Sequence, residues 1–337
     1  MFYHYKMFFM MILMSGSLIS ISSNSWMGMW LGLEINLLSF IPLIQEKNNS
    51  YSSESSLKYF LTQALASIIL LFALIFMSKK FFNYKKYWNS MMIMFNSALL
   101  TKMGMSPFHF WFPEVIEGLN WFNCFILLTW QKITPMILVM YNLNIQYFFM
   151  IIIIFSMLIS GIMGLNQTSL RKILAYSSIN HMAWMISAMM FSETIWLYYF
   201  LIYTILTFNI LIMFKLFNIF QYNQLLISMN NNFLMKFLFS FNFLSLGGLP
   251  PFIGFFPKWL TIQFMISMNW IFLVLMMLLM TLLTLYYYTR LIFNIIILNN
   301  VEINYFNTPK FKMVFLVLIN FLSLGGLMYF SLTFNFI

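Results

Sequence analysis

Four charged residues lie inside apolar stretches: Glu34 in WMGMWLGLEINLLSF, Lys102 just before MGMSPFHFWFP, Lys132 in LLTWQKITPMIL and Lys258 in GLPPFIGFFPKW. At the centre of a bilayer an ionised side chain costs roughly 2.5–3.5 kcal/mol on insertion scales, so such residues mark routes for ions or protons. A lysine taken out of water holds its proton less tightly, and a carboxylate nearby restores the hold. Three lysines and one glutamate therefore read as a switchable proton relay. Glu34 is the only acid deep in an apolar stretch. A buried carboxylate without a partner would protonate, so a lysine is expected beside it, and Lys102 is expected within direct or one-water contact.

The other reading of a lysine in such a stretch is snorkelling, with the stem in lipid and the amine at the head groups. It suits Lys215, Lys236 and Arg290. It fails for Lys102, about 20 Å into its span at 1.5 Å per residue, and for the central Lys132. For Lys258 both readings stand. His181, in AYSSINHMAWM, could extend the relay, with Ser177 one helical turn before it on the same face; its alternative is a hydrogen-bonded core residue. His4, His109 and His181 are too dispersed for a metal site. The single cysteine, Cys124, excludes an internal disulfide and a cysteine-ligated cluster. No GxGxxG or P-loop pattern occurs, so neither cofactor nor metal is expected in this chain.

The elements that must hold these residues follow from composition. Of 337 residues 62% are hydrophobic and 7% charged, against roughly 25% charged in a soluble domain. Lipid is the solvent such a chain needs. Bases outnumber acids 17 to 7, for a net charge of +10. Most lysines sit in short polar joints, where they set topology and touch lipid head groups, cardiolipin among the candidates, rather than nucleic acid. The 32 methionines, with much Phe, Ile, Asn, Lys and Tyr, suggest an A/T-rich genome that reads an isoleucine codon as Met, as animal mitochondria do. The alternative is simply a methionine-rich membrane core.

A span needs about 20 apolar residues. Eleven are expected, near 7–22, 26–44, 57–77, 89–117, 121–141, 147–164, 169–190, 195–220, 233–266, 270–298 and 311–332. The fold class is all-α, a polytopic membrane helix bundle of one transmembrane domain, 1–337. The fourth and ninth spans are overlong and broken, by Gly104, Pro107 and Pro113 and by Gly247, Gly248, Pro250, Pro251, Gly254 and Pro257. Proline removes a donor and frees a carbonyl, which in lipid needs a partner or water. Broken helices at matching places in two halves point to a transported ion. Residues 1–141 and 147–298 are thus expected to form two inverted five-helix repeats, each with a broken helix, followed by a C-terminal helix. A hydrated path is expected from Glu34 through Lys102 and Lys132, with Thr129 and Gln131 adding polar contacts, to Lys258 as the exit residue.

At these residues the chain resembles a known family. SNSWMGMWLGLEINLLSFIPL, SLKYFLTQALAS, KMGMSPFHFWFPEVIEGL, LTWQKITPM, GLNQTSLRKILAYSSINHMAWM and FLSLGGLPPFIGFFPKW are similar, in order, to the chain 2 family of mitochondrial NADH–ubiquinone oxidoreductase. That family comprises antiporter-like, proton-pumping membrane subunits of respiratory complex I. It carries a Glu in an early span and a Lys in each of three later ones; Glu34, Lys102, Lys132 and Lys258 match. Met105 departs from the small residue relatives often place before SPFHFW, which puts local packing in question.

The resemblance implies a multi-pass protein of the mitochondrial inner membrane, partnered by other membrane-arm subunits of complex I. It contributes to an NADH:ubiquinone reductase that translocates protons. NADH, FMN, iron–sulfur clusters and ubiquinone are bound by other subunits. Two alternatives are a stand-alone cation/proton antiporter subunit and a structural scaffold, in which Lys102 and Lys132 would tolerate Leu or Met. By parity the amino terminus shares a side with Lys6, Lys47, Lys58, Arg171, Lys172, Lys236, Lys310 and Lys312, opposite Lys79, Lys80, Lys85 and Lys86; the positive-inside rule then favours the matrix for that side.

Overall fold

In lipid every backbone N–H and C=O must find its partner within the chain, which a helix achieves and an open strand does not. The computed structural model describes residues 4–46, 49–78, 85–229, 233–297 and 320. Among them fourteen helices follow one another: α1 (His4–Ser22), α2 (Trp26–Ile44), α3 (Ser50–Ser78), α4 (Lys85–Met103), α5 (Trp111–Glu117), α6 (Trp121–Leu128), α7 (Trp130–Met140), α8 (Gln146–Leu165), α9 (Leu170–Met189), α10 (Glu193–Phe217), α11 (Tyr222–Met229), α12 (Phe233–Gly247), α13 (Phe255–Ser267) and α14 (Ile271–Ile297). No strand occurs among the described residues; Ser169 and Gln221 form an isolated bridge. The chain is an all-α, polytopic helix bundle.

Among the described residues seven helical stretches are long and apolar enough to cross a membrane: α1, α2, α3, α6 with α7, α8, α10 and α14. The three remaining expected spans in the described residues are α4–α5, α9 and α12–α13. They are interrupted or rich in polar residues, and they carry Lys102, His181 and Lys258. The expected span 311–332 lies outside the described residues except Asn320, which accepts a hydrogen bond from Asn242 of α12. Lys47, Lys79, Lys80, Lys310 and Lys312 also lie outside them.

Tertiary contacts divide the chain into two compact units, residues 1–155 and 156–337. In the first, α1 lies along α2 through small residues. A Cβ on Gly32 would stand 2.6 Å from the Ser20 nitrogen, so only glycine permits this approach, as is common between membrane helices. The Trp30 indole donates to the Ser67 carbonyl at 3.2 Å, tying α2 to α3. α3 starts at Ser50, earlier than the expected 57. Its first turns read SYSSESS, which has no apolar period. The hydroxyls of Ser53, Ser55 and Ser56 bond back to carbonyls three residues earlier, and Ser52, Ser55 and Ser56 are buried.

In the second unit α9 is buried all round: every residue from Ile173 to Met189 is covered. A helix hidden on all sides needs no amphipathic stripe, and its Ser177, Ser178, Asn180 and His181 must find partners within the protein. Gly161 and Gly164 of α8 let Leu283 and Tyr287 of α14 pack close. The joint expected at 221–232 contains α11, preceded by backbone bonds from Leu170 to Phe220 and from Tyr222 to Thr168.

Candidate functional site

The first break separates α4 from α5. Gly104 takes a left-handed φ of +72°, and a Cβ there would stand 2.9 Å from the Phe112 side chain. Glycine is therefore required both by the backbone and by the neighbour. The carbonyls freed by the break were expected to need a partner or water, and those of Leu100, Thr101 and Lys102 have protein partners. Met105 N–H bonds the Leu100 carbonyl at 3.0 Å and Gly104 N–H the Thr101 carbonyl at 3.1 Å. The Trp111 indole also donates to the Thr101 carbonyl, at 3.0 Å, and the Gln63 amide to the Lys102 carbonyl, at 3.2 Å. Met105, whose size raised the question of packing, is fully buried.

Lys102 ends α4 at this break and is 7% exposed; its ammonium has no hydrogen-bond partner among the described residues. Glu34 is half-buried on α2, and no ion pair joins it to Lys102 among the described residues. Lys102, Asn36, Tyr59, Gln63, Gln131 and Thr134 line a polar cavity wide enough for about one water molecule. Gln131 bridges it: its amide donates to Asn36 Oδ1 at 3.0 Å, and its carbonyl accepts from the Tyr59 hydroxyl at 3.5 Å. A buried ammonium beside such a cavity is suited to exchange protons through water.

Lys132 is 1% exposed, with its ammonium 5.1 Å from the centre of the Phe112 ring. Phe112 thus touches both the Gly104 break and Lys132. The span was expected to be continuous over 121–141, but it is interrupted at Thr129, three residues before Lys132. Thr129 has φ −117° and ψ −71°, and its hydroxyl accompanies its own N–H on the Phe125 carbonyl, at 2.7 Å. Of the two neighbours expected to add polar contacts, Thr129 bonds the Phe125 carbonyl, and Gln131 bonds Asn36 and Tyr59 at the cavity beside Lys102.

The second break separates α12 from α13. Lys258, in the first turn of α13, folds back over Gly248 and donates to the Gly247 carbonyl at 2.7 Å. Gly248 has φ +80°, and a Cβ there would stand 2.8 Å from both Cδ and Nζ of Lys258. The ammonium thus caps the carbonyl end of α12, the negative end of its dipole. It lies 5.9 Å from the Trp184 ring of α9, and the residue is 6% exposed. Snorkelling is excluded for Lys258: the amine returns to the level of the break. Lys236, also read as snorkelling, is 6% exposed and is a buried lysine that sequence reasoning missed. Lys215 and Arg290 are exposed, as expected.

His181 is buried with Nδ1 3.0 Å from the Tyr199 hydroxyl of α10; the Tyr203 ring lies 5.2 Å from it. Ser177, on the same face, bonds the Leu174 carbonyl. The first unit therefore gathers Glu34, Lys102 and Lys132, and the second gathers His181 and Lys258 about α9. Sequence reasoning also missed Asn36, Tyr59, Gln63 and Tyr199. Their signal was a polar atom in an apolar run, which is weaker than a charge.

A family profile described as NADH:quinone oxidoreductase/Mrp antiporter, TM, matches residues 23–284. NADH-ubiquinone oxidoreductase chain 2 of Anopheles gambiae is 52% identical over 329 residues, 96% of this chain and 96% of that relative. A chain in the structure of respiratory complex I from Thermus thermophilus is similar with TM-score 0.84 at 21% identity, over 96% of this chain and 78% of that one. A chain of the Mrp complex from Dietzia sp. is similar with TM-score 0.74 at 16% identity, over 89% of this chain and 62% of that one. At such identities the two structures speak for the fold.

Proposed function

The chain belongs to the NADH:quinone oxidoreductase/Mrp antiporter transmembrane family and, within it, to the chain 2 proteins of NADH-ubiquinone oxidoreductase, and on that premise we propose that it moves protons through Glu34, Lys102, Lys132, His181 and Lys258. It is an antiporter-like membrane subunit of respiratory complex I, in which NADH oxidation by ubiquinone is coupled to proton pumping. The observation that carries the relay is burial: Lys102, Lys132 and Lys258 are at most 7% exposed, in an all-helical membrane protein. A structural scaffold would have little reason to bury three ammonium groups where apolar residues cost less.

Each group has a setting suited to carrying a proton. Glu34 supplies the carboxylate that sets the proton affinity of Lys102, and Lys102 lines a water-sized polar cavity. The charge on one lysine disfavours charge on the next, so protonating one favours emptying its neighbour. Lys258, held on the Gly247 carbonyl, is an acceptor whose position is set by the end of a helix. Residues 1–141 and 147–298 serve as inverted repeats, each contributing one broken helix.

The location is the mitochondrial inner membrane, and the partners are the other membrane-arm subunits, with anionic lipid such as cardiolipin at the lysine-rich joints. NADH, FMN, iron–sulfur clusters and ubiquinone belong to other subunits. A stand-alone cation/proton antiporter is the weaker reading, because the 52% identical relative covering 96% of the chain is a complex I subunit by name. The test is to purify the chain from mitochondria under mild detergent. Co-purification with a large NADH-oxidising assembly is expected; a chain recovered alone, carrying sodium or potassium against protons in vesicles, would overturn the reading.

A further inference from the structure

A histidine buried for packing alone needs one hydrogen-bond partner to satisfy its ring. His181 has that partner in Tyr199, and polar groups continue in both directions along the same face of α9. One turn before it, the Ser177 hydroxyl bonds the Leu174 carbonyl. Three residues after it, Trp184 stands 5.9 Å from the ammonium of Lys258. Residues at i−4, i and i+3 share a helix face, and three residues rise about 4.5 Å. The imidazole thus stands three residues along α9 from the tryptophan whose ring faces a buried lysine.

A neutral imidazole has one donor and one acceptor nitrogen, and the group bonded to one nitrogen decides the role of the other. We propose that Tyr199 is a positioning residue of the proton relay: its hydroxyl oxygen accepts from His181 Nδ1–H, so that Nε2 is left with its lone pair and is the nitrogen that takes and returns the proton. The geometry favours this role for Tyr199. The residue is fully buried on α10, directly against α9, and its hydroxyl is 3.0 Å from Nδ1. Its neighbour one turn on, Tyr203, faces the imidazole with its ring, at 5.2 Å. Tyr203 packs against the imidazole, and Tyr199 orients it.

The proposal rests on the proton-relay reading, and the experiment separates the two. Complex I carrying Tyr199→Phe, His181→Gln, the double variant, Tyr203→Phe, Lys132→Met or Lys258→Met is assembled, reconstituted in vesicles and assayed for protons pumped per NADH oxidised. Tyr199→Phe keeps the ring and removes the hydroxyl. It is expected to lower the ratio while NADH oxidation under uncoupled conditions stays normal. The double variant should pump no worse than His181→Gln alone, since both remove one device, and Tyr203→Phe should pump normally. Full pumping in Tyr199→Phe, with Lys132→Met and Lys258→Met lowered, overturns the role of Tyr199 and leaves the relay standing. Full pumping in every variant overturns both. If Tyr199→Phe does not assemble, His181→Gln decides: a lowered ratio in assembled complex sustains the proposal, and a full ratio overturns it.

Discussion

The ammonium of Lys258 has two tasks in one place. It neutralises the carbonyl end of α12 through Gly247, and it presents a buried proton-holding group beside Trp184. A cation at a helix C-terminus contributes about 0.3–1 kcal/mol, and about 2 kcal/mol when partly buried. Lys258→Met should therefore lose stability on that order, seen as a lower melting temperature of the assembled complex, and lose pumping as well. Lys132→Met removes a charge placed over an aromatic ring in the first turn of α7, the end of a helix that disfavours a cation, so it should lower pumping with less loss of stability. Glu34→Gln keeps the volume and removes the charge that acts on Lys102. It should impair pumping in vesicles while the complex still assembles; normal pumping would remove Glu34 from the relay. The position of each charge could be seen in the chain as a break in an apolar run. The direction of each amine could not, because a lysine stem reaches either the head groups or a carbonyl, and only the neighbours decide.

At the scale of elements, the two breaks are built differently. The first satisfies its carbonyls with Gln63, Trp111 and the backbone of the turn. The second uses the lysine itself. Gly254, which leads into α13, packs so tightly that a Cβ would stand 1.8 Å from the Ser245 carbonyl oxygen. No rotamer relieves a clash with backbone, so Gly254→Ala should cost on the order of 1–3 kcal/mol or more and reduce the amount of assembled complex, as blue native electrophoresis would show. Gly247→Ala is the contrast: its Cβ would meet only side-chain atoms, at 3.7 Å or beyond, and assembly should be near normal. The breaks themselves were legible, because Gly and Pro inside apolar runs have few other meanings. The interruption at Thr129 was not, since LLTWQKITPM contains no glycine and its proline lies six residues later. The start of α3 was hidden for the opposite reason: serines that bond back to their own helix have no hydropathy signal.

For the whole molecule, helices that cross a membrane alternately bring every second joint to the same side. Glu46, after α2, accepts a hydrogen bond from Asn120, after α5, so those two joints share one end of the first unit, as parity requires. Lys58 at the same end is paired with Glu54 at 2.9 Å and with Glu114 at 2.7 Å. The positive-inside rule counts lysine and arginine, with acids contributing little, so the amino terminus is expected on the matrix side. A tag at the amino terminus should be shielded from protease in intact mitoplasts and cut after the membrane is opened. Cleavage in intact mitoplasts would reverse the orientation.

Composition, span count, the buried charges and the two broken helices were determined by the sequence alone. Each is a property of residues near one another in the chain, and lipid punishes a misplaced charge or a free carbonyl severely enough to leave a local mark. The pairing of those charges was decided only by the tertiary structure. Asn36, Tyr59 and Gln131 come from three helices, α2, α3 and α7, to line one cavity with Lys102, and Tyr199 reaches His181 across a helix interface. A lone amide or hydroxyl costs little enough to bury that the chain can place it almost anywhere. Which ones face each other depends on helix rotation and packing, and those are set by the whole bundle.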